Sequence, residues 1–205
     1  MNLYLGHRAD AQNEISIPIK EAGSLLIAGL SGSGKSVYLH TMLKKALSHY
    51  GPESLKLVIY DGKRVEFPRY KDDPHLLLPI GTKIEDFQHQ VTYLQGFIGN
   101  KEKSPVLFIA DEFADIVYQN PHAQEEVERL MEVSLANGIY LILSTQIESS
   151  YSDKMLSLAD TKMSFTQFEE DGLRFVDDRN TEALEQGAAI VTRKDKEPIR
   201  VKIEY

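Results

Sequence analysis

Apolar residues along this chain fall into two rhythms that take turns. Unbroken apolar runs at residues 25–28, 55–60, 106–110 and 139–144 read as buried strands. Between them, apolar side chains recur at helical spacing. Val37, Leu39, Met42, Leu43, Ala46 and Leu47 share one face of a helix over residues 36–50, which Gly51-Pro52 stops. Residues 84–98 and 121–137 carry the same spacing, the second closed by Gly138. Residues 14–19 alternate as a short strand, and residues 188–192 and 199–203, around KDKEP, predict an antiparallel hairpin. Buried strands alternating with helical crossovers predict an α/β fold. Its central sheet is mostly parallel and flanked by helices, with the C-terminal hairpin at one edge. No internal repeat or low-complexity linker divides the chain, so residues 1–205 read as one domain.

The first apolar run leads into GLSGSGKS at residues 29–36. This fits G-x-x-x-x-G-K-[ST], a pattern that chance yields on the order of once per hundred chains of this size. The strand before it and the helix after it supply the context that a phosphate-binding loop requires. Glycines let the backbone wrap tightly and turn its N–H groups inward as an anion cradle. Gly29, Leu30, Ser31, Gly32, Ser33, Gly34, Lys35, Ser36 and Val37 would form that cradle. Lys35 reaches the β- and γ-phosphate oxygens, the Ser36 hydroxyl suits Mg²⁺, and the helix start adds its positive dipole end.

Composition narrows the class. The chain is 42% hydrophobic and 26% charged, with no cysteine, which excludes disulfides and thiolate metal sites and suits a reducing cytoplasm. Its six histidines are scattered without metal-ligand spacing. The opening MNLYLGHRAD lacks a signal-peptide pattern, and no apolar run approaches the roughly 20 residues that span a bilayer. Membrane association would need a partner. A net charge of -8 argues against a broadly basic nucleic-acid surface, but leaves room for phosphate contacts by a few loops.

Two further strand ends carry chemistry. VLFIADE ends in Asp111 and Glu112 at the sheet's carboxyl edge, where α/β sites form. Asp111 would hold Mg²⁺ through its water shell together with Ser36, and Glu112 would act as general base toward the attacking water. The bland alternative is a helix start rich in acids. ILSTQ places Gln146, a donor and acceptor at once, at the next strand tip, either to sense the γ-phosphate or as part of a turn-capping cluster.

Together these segments resemble the FtsK/SpoIIIE branch of the HerA–FtsK P-loop ATPases, hexameric DNA-translocating motors with a RecA-like fold. Besides the phosphate loop, the matching segments are LVIYDGKRVEF with Tyr70, DPHLLLPI, VLFIADEFADIV, ANGIYLILSTQ, TKMSF and GAAIVT, in the family's order over almost the whole chain. The resemblance implies ATP and Mg²⁺ as ligands, with Lys35, Glu112 and Gln146 catalytic. It also implies self-assembly into a ring, duplex DNA as substrate, and a membrane-anchored or secretion partner. Departures are equally specific. Leu135 and Ile147 stand where the family carries arginine, and its D-S-R becomes Asp171-Gly172-Leu173 with Arg174 one position late. Arg174 and Arg129 are the remaining candidates for an arginine that completes a neighbour's site. Lys63, Arg64, Arg69 and Lys71, interleaved with aromatics, form either a DNA phosphate contact or a solvated loop. Three function classes stay open: a DNA motor, a protein-moving motor of the type VII secretion kind, and a slow nucleotide-dependent assembly module.

Overall fold

The computed structural model of the chain describes residues 1–10, 13–99 and 104–204. Its elements run β1 (Asn2–Arg8), β2 (Glu14–Pro18), α1 (Ile19–Ala22), β3 (Leu25–Ala28), α2 (Lys35–His49), β4 (Lys56–Tyr60), α3 (Ile84–Gln95) and β5 (Val106–Ala110). They continue with α4 (Phe113–Gln119), α5 (His122–Ser134), β6 (Ile139–Thr145), α6 (Asp153–Leu158), β7 (Thr161–Ser164), α7 (Glu169–Val176), β8 (Ala188–Arg193) and β9 (Lys196–Lys202). The segments read from apolar rhythm all form with the expected type, their ends moved by short offsets. Missing from that reading are β1, β7 and the short helices α1, α4, α6 and α7. The helices and β7 are too brief to show a period, and the alternation of β1 breaks at Gly6.

All strands join one sheet in the order β2-β1-β9-β8-β7-β3-β6-β5-β4. From β7 to β4 the ladders are parallel; from β7 outward through β8, β9, β1 and β2 they are antiparallel. The parallel strands are apolar at every position because both sheet faces are covered. Leu25, Ile27, Leu107 and Ile109 meet Tyr38, Leu39, Met42 and Leu43 of α2 on one face. Leu26, Ala28, Phe108 and Ala110 meet Phe87 and Val91 of α3 and Val127 and Leu130 of α5 on the other. Each fully buried leucine, isoleucine or phenylalanine contributes about 1.5–3 kcal/mol, so the two layers clamp the central strands.

The C-terminal hairpin forms but is not the rim of the sheet. The N-terminal hairpin β1-β2 lies beyond it, through pairs between His7 and Lys202 and between Arg8 and Val201. Leu3, Tyr4 and Leu5 of β1 are buried, and the Tyr38 hydroxyl donates to the Tyr4 carbonyl at 2.9 Å. The physical reason is coverage: the start of the chain carries apolar residues that α2 leaves room to bury beside β9.

Position within the sheet is what makes the site. The chain leaves β3 through α2 for β4 at the far rim, then returns through β5 to β6 beside β3. The carboxyl ends of β3, β6 and β5 therefore lie side by side where the strand order reverses, the crevice in which open α/β sheets bind ligands.

Candidate nucleotide site

The loop after β3 is shaped by its neighbours as much as by its own sequence. The Leu30 N–H donates to Thr166 O at 2.8 Å, the Gly187 N–H to Ser33 O at 2.9 Å, and the Gln186 side-chain amide to Gly32 O at 2.9 Å. Segments following β7 and preceding β8 thus grip the loop from outside. Gly34, at φ 117°, starts α2 in a conformation that side chains resist, and a Cβ there would lie 3.0 Å from Gly187 Cα. Intrahelical bonding begins with Tyr38 N–H to Gly34 O, which leaves the N–H groups of Lys35, Ser36 and Val37 for an anion.

Lys35 is 7% exposed, its ammonium 2.7 Å from Gly29 O and 3.1 Å from Leu30 O. Burial lowers its pKa; Glu112 and Asp111 act in the opposite direction. Ser33 Oγ is buried without a hydrogen-bond partner in the same loop. A buried cation held only by carbonyls, an orphaned hydroxyl and unpaired helix N–H groups are the donors that a chain of phosphates would satisfy. The residues present fit a nucleotide triphosphate.

Across the crevice, Asp111 and Glu112 follow β5 directly. Glu112 adopts φ 56° and ψ 50°, a left-handed conformation that costs a non-glycine residue about 1–3 kcal/mol. That turn parts the two carboxylates. Asp111 is 5% exposed and faces inward, and burial pushes its carboxyl up to about 6. Glu112 faces the crevice, where its Oε1 accepts from Gln146 Nε2 at 2.5 Å and from Lys63 Nζ at 2.6 Å. The sequence placed Gln146 near the phosphates; the fold puts it on the carboxylate proposed as base. Ser36, one residue past Lys35, supplies a hydroxyl at the start of α2. No group of three or more His, Cys, Asp or Glu side chains is placed to hold a metal ion among the described residues. A hydroxyl plus one buried carboxylate suits Mg²⁺, which keeps waters and phosphate oxygens as its other ligands.

The burial of Asp111 has a measurable consequence. Its folded pKa lies above the ordinary 3.8, so the nucleotide-free fold gains stability as pH falls from 7 through about 6. Asp111→Asn should raise the pH 7 stability of chelator-treated protein by about 2 kcal/mol and flatten its pH dependence between 7 and 4. Urea midpoints at several pH values measure this. An Asn variant less stable than the parent at pH 7 contradicts the burial argument.

Other sequence candidates land differently. Arg174 is spent within its own subunit: it pairs with Glu148, 4% exposed, and donates to Tyr151 O at 3.0 Å and Asp153 Oδ1 at 2.9 Å. Freeing it would strand a buried carboxylate, so it does not suit a neighbour's site. Arg129 is exposed on α5 in a helical pair with Glu125. Lys63 separates from the other loop basics by engaging Glu112, while Arg64, Arg69 and Lys71 are exposed. Sequence reasoning missed Tyr151. Fully buried and stacked between Phe113 and Phe175, its hydroxyl lies 3.0 Å from Ile27 O and 2.8 Å from Leu143 O, tying β3 to β6 beneath the site. Nothing at that position shows a period. The grip of Gln186 was equally hidden, since only folding brings it to the loop.

Comparison with known proteins agrees with this fold. The sequence profile of the FtsK/SpoIIIE family matches residues 2–97. DNA translocase FtsK of Leptospira interrogans is 30% identical over 162 residues, covering 64% of this chain and 17% of that protein. The chain thus spans only a minor part of the length of such curated relatives. The cytoplasmic domain of the Thermomonospora curvata type VII secretion ATPase EccC superposes with a TM-score of 0.85 at 16% identity, over 100% of this chain and 28% of that one. The pCW3 conjugation coupling protein TcpA, in its monomer form with ATPγS, gives 0.81 at 16% identity, over 100% and 66%. By its ordered motifs, its fold and these likenesses, the chain resembles the P-loop ATPase domains of the FtsK/SpoIIIE family.

Proposed function

We propose that residues 1–205 act as one motor domain that hydrolyses ATP and moves duplex DNA through a ring of its own copies, most simply a hexamer. The observation that carries the reading is the alignment of Lys35, Asp111, Glu112 and Gln146 around one crevice, with a basic loop attached to it. Lys35 exchanges its two carbonyl partners for β- and γ-phosphate oxygens. Glu112 takes the proton of the attacking water, and Gln146, already bonded to Glu112, fixes that carboxylate and reaches the γ-phosphate. Mg²⁺, held by Ser36 and Asp111, would neutralise phosphate charge. Arg129 is the exposed arginine left to serve a neighbour once Arg174 is committed.

Arg64, Arg69 and Lys71 would contact DNA phosphates, with several subunits contributing at once. Such binding is independent of sequence and depends steeply on salt, the logarithmic slope changing by about 0.9 for each phosphate neutralised. A membrane-anchored or secretion partner and a cytoplasmic setting complete the proposal; no helix among the described residues is long and apolar enough to cross a membrane. A net charge of -8 favours a second reading, a motor for protein substrates. ATP turnover of the assembled ring, measured with and without duplex DNA of increasing length, separates them. Turnover that rises with duplex length and loses that rise in an Arg64, Arg69, Lys71 triple alanine variant supports the DNA motor. An assembled, active ring indifferent to duplex DNA hands the lead to a protein substrate.

A further inference from the structure

Lys63 occupies an unusual position for a residue of a basic surface loop. The loop is closed at its base by Asp61, 2% exposed, whose Oδ2 accepts from the Glu66 N–H at 3.0 Å and the Phe67 N–H at 2.9 Å. A further bond runs from the Arg64 N–H to Asp61 O at 3.0 Å. Beyond Glu66 the chain is fixed to α2. Phe67 is fully buried, and His40, one turn past the phosphate loop, lies against Phe67 and Tyr70 and 3.3 Å from Glu66 Oε2. The tip, residues 62–65, is therefore a short turn held between two anchors. It contains Arg64 at φ 58°, a left-handed residue, and Val65, 69% exposed. Only Lys63 of that tip reaches inward, to the one carboxylate oxygen that Gln146 also holds.

Both donors meet the same Oε1 of Glu112 and fill its two lone-pair sites, so one of them has to yield before that oxygen accepts a proton from water. Gln146 is a neutral donor on a rigid strand end; Lys63 is a cation on a turn with its side chain 45% exposed. Of the two, the lysine is the one that an outside anion can draw off. Its neighbours on the exposed side of the loop, Arg64, Arg69 and Lys71, already make that side attractive to anions.

We propose that Lys63 is a positioning residue: it holds Glu112 at rest, and the phosphate backbone of duplex DNA seated on the 62–71 loop draws Lys63 away and frees the carboxylate. This rests on the motor reading above and adds the link between substrate and hydrolysis. No covalent step is involved; one ion pair is exchanged for another. The anchoring of the loop to α2 through His40 keeps the exchange local, so nucleotide binding at Lys35 proceeds whether or not the lysine is engaged.

The test compares the ring carrying Lys63→Met with the parent and with Lys63→Arg. The methionine variant is expected to raise DNA-free turnover on the order of fivefold, the span of a part-exposed ion pair. Duplex stimulation shrinks by a similar factor, and equilibrium affinity for an ATP analogue is kept. The arginine variant restores the low resting rate. A second readout does not depend on turnover: the ¹³C resonance of the Lys63 carbon next to its ammonium should move on Glu112→Gln in nucleotide-free protein. It should move again in the parent when a short duplex is added. DNA-free turnover that stays flat or falls in Lys63→Met with nucleotide affinity intact overturns the proposal, as does a Lys63 resonance indifferent to Glu112→Gln. Activation by Lys63→Met in a ring that duplex DNA never stimulates upholds the hold on Glu112 and instead sinks the DNA motor reading.

Discussion

Glu112→Gln is expected to keep nucleotide and lose turnover by about 10²–10⁴-fold, the contribution of a placed general base. The amide matches the carboxylate in size, so the left-handed turn between β5 and α4 and the bond to Gln146 can persist with the amide oxygen as acceptor. What it cannot do is accept the proton of the attacking water. The lost pair with Lys63 is part-exposed and costs the fold about 0–1 kcal/mol, so stability is no confounder. Equilibrium binding of an ATP analogue and steady-state phosphate release from one preparation decide the matter. Binding lost in step with turnover would mean that Glu112 serves the phosphates and not the water.

Lys35→Ala is the complementary case, with the effect on affinity. Its ammonium is the buried charge of the loop, and hydrogen bonds to charged groups contribute about 1.5–3 kcal/mol each. Loss of contacts to both phosphates should weaken nucleotide binding by about two orders of magnitude or more. The nucleotide-free fold should hardly notice. Burial lowers the lysine pKa, so carrying this charge opposes folding, and the effect is felt below the ordinary lysine range where the group must be protonated. Thermal melting with and without nucleotide reads both halves. The melting point without ligand stays level or rises, and the upward shift that nucleotide gives the parent disappears. A variant that unfolds by itself would show that Lys35 holds the loop together through Gly29 and Leu30 and is not chiefly a phosphate ligand.

The two predictions differ in how far the sequence alone supports them. Lys35 is legible because its role depends on neighbours in sequence: glycines before it, a helix after it and a strand leading in. Asp111 and Glu112 are legible for the same reason, since an apolar strand delivers them to the carboxyl edge. The parallel core is legible because strands covered on both faces are apolar throughout, as in VLFIA. By contrast, the single-period signal of β1 is short and interrupted by Gly6, and its burial depends on β9 and α2, far away in the chain. The same distance explains why a C-terminal hairpin looks like the sheet's rim until the N-terminal strands are seen beyond it.

The departures from the family pattern show where residue identity stops being informative. Arg174 looks like a displaced version of an arginine that a neighbour needs, yet α7 aims it back at Glu148 and Tyr151 O. Lys63 looks like one of four equivalent loop cations, yet the turn closed by Asp61 sends it to the Glu112 carboxylate. Both outcomes are fixed by side-chain direction, and direction follows from how elements pack.

By itself, then, the sequence determined the alternation of strands and helices, the glycine-rich loop after β3 and the two carboxylates after β5, because each is written in residues close together along the chain. Tertiary structure alone decided which strands flank β3, that Gln186 and Thr166 grip the loop, that Tyr151 braces β3 against β6, and that Gln146 and Lys63 meet on one oxygen of Glu112. Most of those partners lie far apart in the chain, and no local pattern encodes a contact whose geometry is set by the packing of a whole sheet.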